Sequence, residues 1–165
     1  SISYAIDNQI IQKIVDEYLI NGKDYLSIGL DGDAENLYFF LPDGDDRNLP
    51  FYFITSVHPG SIAEIAKIES NELLFFFGDY YVGQNDFSDF GIDGYPMLSD
   101  LCSLISDWEE SSEQTIELML YSCYLEEFYV ATLSKSGESY EPYLVDNPFS
   151  DFTKNDINLA CQNDT

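Results

Sequence analysis

The chain has 165 residues, with 31 acidic residues against six basic ones and a formal net charge of −25. A field of that sign repels nucleic acid and anionic membrane and attracts cationic partners, so direct binding to the first two is not expected. Aromatic residues make up 16% of the chain, which argues against an acidic disordered polypeptide and places the charge on a folded body of one domain.

Ile6, Ile10, Ile11, Ile14, Val15, Tyr18 and Leu19 share one face at helical spacing, and Asn21-Gly22 follows as a stop signal. This predicts an amphipathic helix over about residues 4–20. Strand-like segments follow at Tyr25–Leu30, Asn36–Leu41 and Phe51–Val57. Asp31-Gly32-Asp33 and Pro42-Asp43-Gly44-Asp45-Asp46 separate them as turn formers, so an antiparallel meander is predicted. Ser61 with Glu64 is a capping box ahead of a short helix whose apolar face is Ile62, Ile65, Ala66 and Ile68. Glu72–Val82 reads as one strand, central because Phe75, Phe76 and Phe77 are apolar on both faces. Residues 83–96 form a loop rich in Asp, Gly and Phe.

Ser99 can cap a helix to about Glu109 with Leu101, Leu104, Ile105 and Trp108 inward. Residues 113–127 fit two templates. Ile116, Met119, Leu120, Cys123 and Tyr124 suit a helix, whereas Ile116, Leu118 and Leu120 alternate as in a strand; helix is preferred. Phe128–Leu133 and Tyr140–Val145 flank Lys135-Ser136-Gly137, a hairpin signal. From Asn147 the chain is polar and expected to be loose, apart from an anchoring turn near Ile157–Leu159. The fold class predicted is α+β in a single domain, a mostly antiparallel sheet packed by three to four helices.

Little in the chain carries covalent or metal chemistry. Cys102, Cys123 and Cys161 form no metal spacing and are odd in number, so reduced thiols in a cytoplasmic setting are expected. No basic segment opens the chain, so no signal peptide is expected, and the apolar run Leu73–Phe77 is too short to span a bilayer. Asp89, Asp93, Gly94 and Asp100 match part of a calcium loop, but Gly91 lacks the oxygen that such a loop needs and Pro96 interrupts its pairing strand. His58 is the only histidine and has no recognisable nucleophile beside it. Neither an enzyme nor a cofactor is expected.

Charge remains the guide. From Ile68 to Ser134 there is no Lys or Arg but fourteen Asp and Glu. The binding surface is expected where acidity coincides with turns and loops: Asp43, Asp45 and Asp46 in the first turn, and Asp79, Asp86, Asp89 and Asp93 with Tyr80 and Tyr81 further on. Carboxylates would pair with Lys and Arg of a basic protein, with tyrosines as amphipathic anchors. Acidity is also even along the chain, which keeps a general solubility role open, and a nucleic-acid mimic or a calcium-binding interaction module is a further alternative.

The stretch from Tyr25 to Phe40, continuing through Pro42–Asp46 to Phe51–Ile54, resembles the strand region of the SUKH group of bacterial immunity proteins. There, an apolar strand ends in an Asp-Gly turn and pairs with aromatic-rich strands. The second N-terminal helix usual in that group is missing, and residues after Phe77 do not follow its pattern. More broadly the chain resembles small acidic immunity proteins of contact-dependent growth inhibition and related polymorphic toxin systems. The resemblance implies a cytoplasmic, non-enzymatic inhibitor of a cationic toxin domain, typically a nuclease.

Overall fold

Alternating apolar residues in successive segments build one sheet, and the computed structural model describes residues 26–39, 47–82 and 98–161. Its strands are β1 (Leu30–Phe39), β2 (Arg47–Val57), β3 (Glu72–Phe77), β4 (Tyr80–Tyr81), β5 (Thr115–Ser122), β6 (Glu127–Ser134) and β7 (Tyr143–Val145). They lie in the order β1-β2-β3-β5-β6-β7, with β4 paired to β3. Every pairing is antiparallel. Helices α1 (Ile62–Ile65), α2 (Leu98–Glu110) and α3 (Lys154–Ala160) complete the described α+β fold.

Both faces of the sheet are covered, as its apolar strands require. On one face Tyr52 and Ile54 of β2, Leu74 of β3, Leu118 and Leu120 of β5 and Ala131 and Leu133 of β6 meet Ala63 of α1 and Leu101, Ile105 and Trp108 of α2. On the other, Phe51, Phe53, Phe75, Tyr121 and Phe128 pack with Phe152, Ile157 and Ala160. Phe149 adds edge contacts to Phe75 and Phe152 on this second face. Central β3 contributes to both cores, as its unbroken apolar run predicts.

Several expectations hold. Helix α2 buries Leu101, Ile105 and Trp108 with Leu104 packed against the same core. The Ser61 hydroxyl accepts from Glu64 N–H at 3.2 Å, although the Glu64 carboxylate returns to Gly60 N–H instead of to Ser61. Strands β6 and β7 do pair, across a longer connection than the predicted tight hairpin. The helix expected at residues 4–20, the turn at 42–46, the loop at 83–96 and all but the last three residues of the calcium-like stretch lie outside the described residues.

Other expectations are corrected. Residues 115–122 are a strand, not a helix, because β6 pairs with them from Thr115 to Ser122 and β3 pairs with Leu118–Ser122 on the other side. Asp31-Gly32-Asp33 is not a turn but lies within β1, where the register slips by one residue between Asp31 and Gly32. A Cβ at position 32 would collide with the carbonyl oxygen of Phe53, so glycine permits the close approach at that bulge. Glu72–Val82 is two strands rather than one, folded back at Gly78, whose φ of 63° suits glycine. The anchoring turn expected near Ile157–Leu159 is present as helix α3, where Thr153 and Asp156 form a reciprocal capping box and Ile157 and Ala160 are buried. Cys123 and Cys161 form a disulfide, so they are not the reduced thiols expected, and Cys102 is exposed outside that bond.

Candidate partner-binding surface

Three elements converge at one end of the β3–β5 pair. The reversal at Gly78 projects Asp79 and Tyr80, the end of α2 brings Asp107 and Ser111, and the start of β5 with the residues before it brings Glu113, Thr115 and Glu117. Together they line a surface groove of about 630 Å³ floored by Phe77, Leu104, Trp108 and Ile116. The floor follows from local pattern: Phe77 and Trp108 rings meet edge-on at 6.3 Å, and Trp108 Nε1 donates to Thr115 O at 3.3 Å. These contacts lock the α2 terminus to β5 and fix the spacing of the carboxylates around the groove.

The electrostatics are one-sided. Among the described residues, no Lys or Arg forms an ion pair with Asp79, Asp107, Glu113 or Glu117. Glu117 instead accepts a hydrogen bond from the Tyr143 hydroxyl, and that bond, chiefly, raises the Tyr143 pKa. The last turn of α2 contains no basic residue, while Asp107, Glu109 and Glu110 are exposed there. Carboxylates at a helix C-terminus oppose the macrodipole, so the arrangement costs stability and leaves this end attractive to an external cation. Lys135 answers part of that demand by donating to Ser111 O at 2.6 Å, with its ammonium 5.3 Å from the Trp108 ring centroid. The two remaining described lysines face Glu141 and Glu127. Tyr80 is 65% exposed beside the carboxylates.

Of the residues predicted to bind, Asp79 and Tyr80 therefore line one groove. Tyr81 does not join them: its hydroxyl donates to Pro50 O at 2.5 Å and its ring packs on Phe76. Burial raises its pKa. Asp43, Asp45, Asp46, Asp86, Asp89 and Asp93 lie outside the described residues. Sequence reading missed Asp107, Glu113 and Glu117; the available signal was acidic residues clustered at the end of a predicted helix.

Groups of catalytic type are otherwise engaged. The Ser61 hydroxyl caps α1, and His58 Nδ1 lies 2.9 Å from Pro59 O. No group of three or more His, Cys, Asp or Glu among the described residues could hold a metal ion. Nor is any described helix long and apolar enough to cross a membrane. No family model, curated protein or solved structure matches this chain.

Proposed function

We propose that this protein is an immunity-type inhibitor that binds a cationic toxin domain, a nuclease, and neutralises it by electrostatically steered association. The observation that carries the reading is the groove in which Asp79, Asp107, Glu113 and Glu117 surround exposed Tyr80. A nuclease groove is basic because its substrate is a polyanion, so such a surface complements it in charge. Tyr80 supplies an amphipathic ring able to act as a buried anchor once the carboxylates have guided approach. The role is binding, with no reaction of its own and no cofactor.

A cytoplasmic site follows from a nuclease target rather than from the cysteines. Disulfides persist mainly in oxidising compartments, so the Cys123–Cys161 bond removes the support that reduced thiols would have given that placement.

The test is protection by co-expression with the product of the adjacent reading frame, followed by binding of the purified pair. Specific protection against that product alone is expected, and Tyr80→Ala should weaken binding by about tenfold or more without changing the melting temperature. Competition with duplex DNA for several unrelated basic proteins would overturn the reading in favour of a nucleic-acid mimic.

A further inference from the structure

Turn tips are ordinarily polar, because Gly, Asn, Asp and Ser tolerate positive φ or bond back to the backbone. The connection from β5 to β6 departs from this. Tyr124 is 90% exposed and Leu125 62% exposed at its tip, and the left-handed position, φ 56°, is held by Glu126. Gly or Asn would be easier there. The neighbourhood nevertheless fixes the turn: Glu126 N–H donates to Ser122 O at 2.8 Å and Leu125 N–H donates to Ser122 Oγ at 3.1 Å. Asn158 of α3 donates to Glu126 Oε1 at 2.8 Å and accepts from the Tyr121 hydroxyl. The disulfide to Cys161 ties the same turn to the end of α3, where Leu159 is also exposed.

Two large apolar side chains on a cross-linked, hydrogen-bonded turn have the form of an interface anchor, since little freedom is lost when they bind. A second copy is a poor occupant: each carries a net charge of −25, and Glu126 and Glu127 lie beside the tip. Glu127 is only loosely paired, 3.7 Å from Lys154, and remains available to an incoming cation. The geometry points to the Tyr124–Leu125 tip as the apolar anchor for a basic amphipathic segment of a partner protein, with Glu126 and Glu127 receiving its Lys or Arg side chains. This rests on the cationic-partner reading above and adds a second contact site. Strand β5 separates the two, Glu117 lying towards the groove and Ser122 at the tip, so they can be tested apart.

The probes are a short Leu/Lys amphipathic peptide and an oligolysine of equal charge, titrated at about 0.15 M salt, where exposed charges more than about 8 Å apart are largely screened. The amphipathic peptide should bind about tenfold tighter than oligolysine, and the double variant Tyr124→Ser, Leu125→Ser should abolish that advantage while leaving oligolysine binding unchanged. Amide resonances of residues 123–127 in the wild-type protein should shift most with the amphipathic peptide, a readout independent of the variant's folding. An advantage that survives the double variant, or shifts confined to the Asp79–Tyr80 groove, would overturn the tip assignment alone. Failure of the wild type to bind either peptide would overturn the cationic-partner reading and this inference with it.

Discussion

Glu72 sits 4% exposed at the start of β3, opposite Ser122. Its carboxyl accepts from the Tyr129 hydroxyl and, at 3.0 Å, from Glu69 N–H. Burial outweighs those bonds and pushes its pKa up from 4.5 to about 7. The folded state therefore holds a proton that the unfolded chain has released. Stability from this group is complete below about pH 4.5 and is lost as pH rises to about 7, an amount of about 3 kcal/mol. Glu72→Gln keeps the accepting oxygen and removes the charge. Urea unfolding of this variant should show higher stability than wild type at pH 8 and a smaller loss between pH 5 and 7. An unchanged pH profile would mean that Glu72 does not titrate in that range.

At the scale of elements, α3 is held by its buried Ile157 and Ala160 and by the Cys123–Cys161 bond, which spans 38 residues. By loop-closure entropy such a bond is worth about 4 kcal/mol. Replacing both cysteines by Ser should lower unfolding free energy by an amount of that order, and faster amide exchange should be confined first to α3 and the β5–β6 turn. Equal exchange throughout the chain would show that α3 is no separate unit. The same elements show what a sequence discloses. Helix α2 was legible because Leu101, Leu104, Ile105 and Trp108 recur at one period only. Strand β5 was not, since Ile116 and Leu120 belong both to a helical set with Met119 and Cys123 and to an alternation with Leu118, and pairing with β3 and β6 decided between them. Helix α3 was legible only as an anchoring turn near Ile157–Leu159, because the packing of Phe149, Phe152 and Ile157 on a distant aromatic face is a contact that no local pattern encodes. Likewise Asp79 and Tyr80 could be nominated from their turn, whereas Asp107, Glu113 and Glu117 become a site only when α2 and β5 converge.

For the whole molecule, −25 charges on one body repel one another, while the described lysines offset few of them. Salt shortens the range of that repulsion from about 30 Å at 0.01 M to about 10 Å at 0.1 M. The melting temperature should therefore rise with added sodium chloride over this interval. A flat or falling response would show that the acidic groups are neutralised within the fold. The opposite sign is expected for association, because the field that strains the protein is the one that guides a cationic partner.

That contrast supplies the most direct measurement: the association rate constant with the cationic toxin domain against which the chain protects, by stopped flow, across the same range of ionic strength. The account predicts a steep fall in the rate with salt while dissociation changes little, the dissociation rate being set by short-range anchors. An association rate independent of salt would contradict steering by the carboxylate surface and the function built on it.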